Sequence, residues 1–219
     1  ASIKSSTISN NTAYYSGAGI SFDQSQVDIY DCIIDNNSMP GTQVREGGGL
    51  NASSSSNVNV YGTLISNNTG RQGSAIFFEG NTNGKITNAT ISNNRGSGSS
   101  NGDIRIQSDC NVDIINSILW ENQYIYNMGE LNISYSLIFN GLNNVVDKTN
   151  GNTNWGDGNI TGGASDPLFT SYSSNDFTLQ SNSPVINKGH PDLDGDGISW
   201  ETDPDDRDPD GTRMDMGAF

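Results

Sequence analysis

The chain has 219 residues, of which 85 are Asn, Ser or Gly and only 32% are hydrophobic, too few to surround one thick core. Its 25 acidic and 10 basic residues give a net charge of −15, which argues against a nucleic-acid partner because phosphate contacts need clustered Lys and Arg. No stretch reaches the roughly 20 apolar residues of a spanning helix, so we expect no membrane insertion. The apolar residues are β-branched and regularly spaced, which predicts an ordered all-β chain.

The first element of each predicted repeat is a short strand that follows a glycine. Its alternating apolar residues should point inward as two columns, and the large and small members should interdigitate. The columns are Ile20, Leu50, Ile76 and Ile104, and then Phe22, Ala52, Phe78 and Ile106.

The second element is a strand of alternating apolar and polar residues. It contains Val-Asp-Ile at 27–29 and 112–114, Val-Asn-Val at 58–60 and Leu-Asn-Ile at 131–133. Tyr30 and Tyr61 follow two of these strands and are expected in one column. Such a column either stabilises a stack of strands or presents aromatic rings to a ligand.

The third element is the sequence Thr-Ile-Ser-Asn-Asn or a close variant. Its central apolar residues are spaced by 19 to 31 residues and are Ile8, Ile34, Ile65, Ile91, Leu119 and Ile138. The Asn pairs that end it predict a corner in which Asn tolerates left-handed backbone and forms a hydrogen-bonded ladder between repeats. Three strands per repeat predict a right-handed parallel β-helix of about six recognisable coils.

The remaining segments divide the chain into two parts of one structural domain. Residues 1–165 are predicted to hold the coils and a loop, since 141–163 looks loop-like and breaks the repeat. Residues 166–219 should form a last irregular coil and an acidic, Asp-rich C-terminal cap. Cys32 and Cys110 fall three coils apart, about 14 Å at ~4.8 Å per rung, so we expect two free, buried thiols.

Coils and tail both resemble known proteins. Gly-Gly-Gly-Leu at 47–50 and the Thr-Ile-Ser-Asn-Asn elements resemble the pectin-lyase-like right-handed parallel β-helix superfamily. Asp-Pro-Leu-Phe at 166–169, Ser-Pro-Val-Ile-Asn-Lys-Gly at 183–189 and the end of the chain at 208–219 resemble the terminal region of bacterial choice-of-anchor β-helix surface proteins. The resemblance implies a bacterial protein secreted or held at the cell surface. It supplies no reaction, because this fold hosts enzymes, adhesins and scaffolds. Since the chain begins inside a repeat, we expect it to be a piece of a longer protein.

The acidic tail predicts a calcium site. Asp192, Asp194 and Asp196 stand at positions 1, 3 and 5 of a loop with Gly197 at position 6, a spacing that wraps oxygens around Ca²⁺. The further candidate ligands are Ile198 at position 7, Asp203 at position 12, and Asp205, Asp208 and Asp210. A charged, solvated turn is the alternative reading.

A carbohydrate site is the other candidate, on outward-facing cations and rings of the coils. The residues that could grip or stack on sugars are Arg45, Arg71, Arg105, Tyr30, Tyr61 and Phe77, with Phe77 expected to point outward. An arginine ladder paired with neighbouring carboxylates and a purely structural aromatic stack are the alternatives.

Catalysis has weaker support in the sequence. No catalytic residue is predicted, because the paired aspartates and the His, Arg and Lys elements of polygalacturonase-like enzymes are not intact and His190 is the only histidine. We therefore expect a module for structural display or adhesion that recognises a polysaccharide or cell-surface glycan. A polysaccharide lyase, and a filament subunit that assembles through open coil ends, remain the alternatives.

Overall fold

The computed structural model describes residues 1–40, 46–96, 102–121, 124–163 and 166–218. They form a right-handed parallel β-helix, in which three parallel sheets of six or seven strands run along the axis. The chain passes through the three sheets in turn, and each strand pairs with the equivalent strand of the next coil. The predicted fold class is therefore confirmed.

The strands of each sheet come from one element of the sequence repeat. The first sheet contains Ile20–Asp23, Leu50–Ser53, Ile76–Phe78, Ile104–Ile106, Ile125–Asn127 and Val145–Asp147. The second sheet contains Ser2–Lys4, Gln26–Tyr30, Asn57–Tyr61, Asn83–Thr87, Asn111–Ile115, Glu130–Ser134 and Asn152–Trp155. The third sheet contains Thr7–Ser9, Ile33–Asp35, Leu64–Ser66, Thr90–Ser92, Ile118–Trp120, Leu137–Phe139 and Ile160–Gly162.

The core is a narrow column inside the coils. Ile76 pairs with Leu50 on one side and Ile104 on the other, and Phe78 lies between Ala52 and Ile106 in the same register, as predicted. These side chains are fully or almost fully buried. Cys32 and Cys110 are also buried and unpaired with each other, so the prediction of two free thiols is confirmed.

An asparagine ladder holds the corner after the third sheet. The Nδ2 of Asn37 donates to Oδ1 of Asn68 at 3.0 Å, and the Nδ2 of Asn68 donates to Oδ1 of Asn94 at 3.0 Å. Asn37 and Asn68 are completely buried. The left-handed conformation belongs to the preceding residue of each pair, for example Asn36 and Asn67. In each pair, the first residue therefore turns the chain, and the second hydrogen-bonds to the adjacent coil.

The prediction that 141–163 is a loop that breaks the repeat is wrong. This segment contributes one strand to each sheet and adds a further rung, in which Val145 pairs with Ile125, Trp155 with Ile133 and Ile160 with Leu137. Asn, Thr and Gly surround these few apolar residues. The apolar repeat is therefore hard to recognise in the sequence of this segment, although its strands pair like those of the other coils.

The C-terminal segment, residues 166–218, lies along the side of the coils. It begins with an antiparallel pair formed by Phe169–Ser171 and Asp176–Leu179. Its buried side chains pack on outward-facing residues of the third sheet, in a cluster of Leu64, Ile118, Trp120, Leu137, Phe169, Phe177, Val185 and Met216.

The remaining elements are short. Within the described ranges, three 3-10 helices span Gly141–Asn144, Tyr172–Ser174 and Pro204–Asp206, and two short strands, Thr69–Gly70 and Arg95–Gly96, pair in parallel outside the main sheets. In the described part of the chain, no helix is long and apolar enough to cross a membrane.

Candidate functional site

The acidic loop turns back on itself through its own carboxylates. Asp192 accepts hydrogen bonds from the N–H groups of Gly195 at 2.8 Å and Gly197 at 3.0 Å. Both glycines have left-handed backbone, with φ of 79° and 87°, which few other residues adopt without strain. Asp194 and Asp196 each accept from the N–H two residues further on. The aspartates are therefore held in successive tight turns.

The 3-10 helix Pro204–Asp206 brings a further carboxylate to this loop. Asp203 caps the helix by accepting from the Asp205 N–H at 2.9 Å. One turn later, Oδ1 of Asp206 accepts from the Leu193 N–H at 2.6 Å. Asp206 is completely buried, and its Oδ2 has no hydrogen-bond partner among the described residues. Burial raises the pKa of Asp206, although the backbone N–H groups near it oppose the shift.

Two overlapping groups of carboxylates result from these contacts. The oxygens of Asp192, Asp194 and Asp206 lie within 4.8 Å of one another, and so do those of Asp194, Asp196 and Asp203. Each group could hold a metal ion, and Asp194 belongs to both. Four of the predicted ligands are thus brought together, namely Asp192, Asp194, Asp196 and Asp203.

The other predicted metal ligands lie outside the two carboxylate groups. Conversely, Asp206 belongs to one group but was not among the predicted ligands. Ile198 is 47% exposed, Asp205 lines a neighbouring pocket, and Asp208 and Asp210 line a separate groove. Asp206 had not been selected from the sequence. Its only local signal is the Asp-Asp pair at 205–206, and the Leu193 N–H that bonds the second aspartate lies 13 residues away in the sequence.

The pocket beside the acidic loop contains the predicted tyrosine pair. Tyr30 and Tyr61 are neighbours in the second sheet, with ring centroids 6.3 Å apart. They line a pocket of about 360 Å³ between this sheet and the acidic loop. The other lining residues are Asn59, Val60, Lys85, Thr87, Leu193, Asp194 and Asp205. Asp194 is thus part of both carboxylate groups and of the pocket wall.

A larger groove of about 640 Å³ lies between the coils and residues 207–218. Its lining includes Tyr61, Asp31, Asp208 and Asp215. Burial, and then the negative charges of Asp31 and Asp208, raise the pKa of Tyr61. Burial and the adjacent Asp215 raise the pKa of Asp208 to about 6. The carboxylates that line the groove are therefore close enough for their charges to act on one another and on Tyr61.

The remaining predicted sugar-binding residues lie elsewhere. Phe77 and Arg105 pair with each other in the first sheet, away from the tyrosine pair. Phe77 is completely buried, so the expectation of an exposed ring there is wrong, and Arg105 is only 8% exposed. The Arg105 guanidinium lies 4.4 Å from the centroid of the Tyr126 ring. Arg71 is half-buried, and Arg45 falls outside the described residues.

His190 packs against the coils beside the acidic loop. Its ring makes an edge contact with Tyr135, with centroids 4.5 Å apart, and its Nδ1 accepts from the Asp192 N–H at 3.1 Å. The backbone N–H of His190 donates to Oδ1 of Asn116. These contacts give the imidazole a packing role at the start of the acidic loop.

Comparisons with protein-family models, curated proteins and solved structures gave no match for this chain. The fold is accordingly established by its own strand pairing, and function has to be inferred from the residues described above.

Proposed function

We propose that this chain is a secreted or cell-surface β-helix module for structural display or adhesion, related to the pectin-lyase-like proteins that its coils resemble. In this proposal the acidic loop holds calcium, and the pocket at Tyr30 and Tyr61 binds carbohydrate. The observation that carries the proposal is the position of Asp194, which belongs to both metal-binding groups and lines the tyrosine pocket. Metal binding and ligand binding would then occur at adjoining sites.

The chemistry of the ligand groups favours calcium over a transition metal. Every member of the two groups is an aspartate, and hard cations such as Ca²⁺ prefer carboxylate oxygens, whereas Zn²⁺ and Cu²⁺ favour imidazole or thiolate. The nearby His190 nitrogen Nδ1 already accepts a backbone hydrogen bond. The unpaired Oδ2 of Asp206 would gain a partner from a bound cation, which would offset the cost of burying this carboxylate.

The pocket composition suits a sugar. Tyrosine rings stack on the apolar face of a pyranose, and amides, hydroxyls and carboxylates hydrogen-bond its edge. Asn59, Thr87 and Asp205 supply such groups around the ring pair. The pocket volume of about 360 Å³ lies within the ordinary range for small-ligand sites.

Thermal unfolding with calcium, and then with excess chelator, tests the metal part of the proposal. A site saturated at about 100 times its Kd should stabilise the fold by about 2.7 kcal/mol. An unchanged Tm would contradict structural calcium.

A glycan array probed in calcium and in chelator tests the carbohydrate part. Tyr61→Ala should abolish binding to the glycans that the wild-type chain retains, whereas Tyr124→Ala, which removes a ring that is 47% exposed, should leave binding unchanged. Failure to retain any glycan would overturn carbohydrate recognition and leave the metal proposal untouched.

A further inference from the structure

The outward side of the second sheet carries two columns of polar side chains. The first and third residues of its strands alternate with residues that face the core, and the strand register stacks them from coil to coil. The first column is Gln26, Asn57, Asn83, Asn111, Glu130 and Asn152, and all of its members are exposed. The second is Asp28, Asn59, Lys85, Asp113, Asn132 and Asn154. We call the two columns together the amide face.

Hydrogen bonds between coils fix the side chains of the amide face. The Nδ2 of Asn83 donates to Oδ1 of Asn57 at 3.1 Å, and the Nδ2 of Asn111 donates to Oδ1 of Asn83 at 3.2 Å. Bonds of 2.8 Å run from Asn59 to Asp28, from Asn132 to Asp113 and from Asn152 to Glu130. Side-chain ladders favour a flat sheet, and they order these groups before any ligand arrives.

Each ladder amide retains both a donor and an acceptor for a ligand. A primary amide has two N–H groups and two acceptor sites. Asn83 uses one N–H on Asn57 and one acceptor site on the Asn111 amide, so one of each faces solvent. Sugar hydroxyls also donate and accept, and they match this pattern.

The exposure of these amides favours a polymer over a small ligand. One hydrogen bond made in contact with water contributes little net free energy. The amides recur at every rung, about 4.8 Å apart, so a chain of sugars along the columns makes many such bonds at once. The first column covers six successive strands, a length of about 24 Å.

The charges of the amide face favour a neutral polymer. Its ionised groups are the carboxylates of Asp28, Asp113 and Glu130 and the ammonium of Lys85, and its other members are amides. The three carboxylates already accept from ladder amides. They would repel a polyanion, as would the chain's net charge of −15. A polycation would meet the Lys85 ammonium in the middle of the second column.

The amide face is continuous with the tyrosine pocket. Asn59 and Lys85 belong to the second column and also line that pocket. Tyr30 and Tyr61 occupy the next outward position of their strands, two residues after Asp28 and Asn59. A saccharide that stacks on Tyr61 can therefore continue onto the ladder amides.

We infer that the amide face binds a neutral linear polysaccharide, which places one sugar at the tyrosine pair and extends along the ladders parallel to the helix axis. The inference rests on the proposed carbohydrate site at Tyr30 and Tyr61, and it extends that site from one sugar to a chain. It does not depend on calcium.

Affinity electrophoresis tests the polymer class. The chain is run through gels that contain hydroxyethyl cellulose, arabinoxylan or glucomannan as neutral polymers, and polygalacturonate or glycol chitosan as charged ones. A neutral polymer should retard the chain. Titration calorimetry with oligosaccharides of increasing length, prepared from the retarding polymer, should then show affinity rising about tenfold or more from the disaccharide to the longest chain.

Asn83→Ala and Asn111→Ala separate the ladder from the pocket. Each should weaken binding of the long oligosaccharide about three- to tenfold. The disaccharide affinity should stay unchanged, because neither residue lines the tyrosine pocket. Asn143→Ala is the matched control, since it removes an exposed amide in the 3-10 helix Gly141–Asn144, outside the second sheet. It should leave every affinity unchanged.

The outcomes distinguish this inference from the proposed function. Equal affinity for the disaccharide and the long chain, lost in Tyr61→Ala, would overturn the extended site and leave the pocket proposal standing. Retardation by polygalacturonate or glycol chitosan, with none by the neutral polymers, would overturn the assigned ligand class. Failure of every saccharide to bind would overturn both the inference and the carbohydrate part of the proposed function.

Discussion

Asp206 accepts a hydrogen bond from the backbone N–H of Leu193 at 2.6 Å, and this contact joins the last 3-10 helix to the acidic loop. It orients one carboxylate oxygen toward the backbone and leaves the other buried without a partner among the described residues. The side chain is therefore both a structural link and the most deeply buried member of the two carboxylate groups that could hold a metal ion.

Asp206→Asn should remove about half or more of the stabilisation that calcium gives. The amide retains an oxygen for the Leu193 N–H but removes the buried anionic oxygen, so calcium affinity should fall by about tenfold or more, about 1.4 kcal/mol. In chelator the variant should be as stable as wild type, because it buries no unpaired charge. The measurement is Tm against calcium concentration, with Asp157→Asn as control. An undiminished calcium effect in Asp206→Asn would contradict the assigned ligand.

Asn68→Ala should be among the most destabilising single changes in the coils. The Asn68 side chain donates to Asn94 Oδ1 at 3.0 Å and to the Ile34 carbonyl at 2.9 Å, and it accepts from the Asn37 backbone N–H at 2.9 Å. Its loss leaves buried groups unsatisfied in two coils, at a cost of about 3 kcal/mol or more in the free energy of unfolding.

The exposed ladder on the second sheet supplies the control for this change. There the amide of Asn83 donates to Asn57 Oδ1 at 3.1 Å, and all of these groups can bond water instead. Asn83→Ala should therefore cost less than about 1 kcal/mol in the free energy of unfolding. Similar costs for both variants in chemical denaturation would show that burial of the ladder is not what gives it strength.

Phe177→Ala should loosen the C-terminal segment while the coils stay folded. Phe177 is 2% exposed and makes edge contacts with Phe169 at 5.3 Å and Tyr172 at 5.9 Å between centroids. Removing it should cost about 3 to 5 kcal/mol of local stability, enough to raise protease sensitivity after residue 166. Limited proteolysis with mass analysis checks this, with Leu142→Ala, a change at a half-exposed side chain, as control. Simultaneous cleavage throughout the coils would instead show that segment and coils unfold as one unit.

The coils were predictable because each strand repeats a local pattern, whereas the C-terminal segment depends on contacts between distant residues. Ile65 and Leu119 mark the interior, and the adjacent Leu64 and Ile118 make the third-sheet strands apolar on both faces. Such paired apolar residues indicate a strand covered on both sides, and they were the available signal that a segment would pack there.

The Gly-Gly-Gly-Leu motif also has a physical cause that the sequence alone did not reveal. A Cβ on Gly49 would lie 2.6 Å from the Ala75 carbonyl and 3.1 Å from the Asn68 amide nitrogen. The backbone of the next coil thus requires a glycine here, and the asparagine ladder is in tight contact on the other side. Asp206, by contrast, is buried where it bonds Leu193, 13 residues earlier in the chain, and no local pattern specifies this contact.

The phenol of Tyr172 gives a prediction about alkaline pH. Its hydroxyl donates to Asn93 Oδ1 at 2.6 Å, and burial raises its pKa to about 12. In the unfolded chain a tyrosine titrates near ~10, so the folded state holds this proton more tightly. The resulting stabilisation is complete below pH ~10 and is lost as the pH rises through about 12.

Tyr172→Phe should therefore lower the free energy of unfolding by about 1 kcal/mol at neutral pH, and this difference should shrink above pH ~10. Urea unfolding at several pH values measures it, with Tyr15→Phe, at a ring that is 88% exposed, as control. A difference between wild type and Tyr172→Phe that stays constant to pH ~12 would show that the phenol proton makes no contribution.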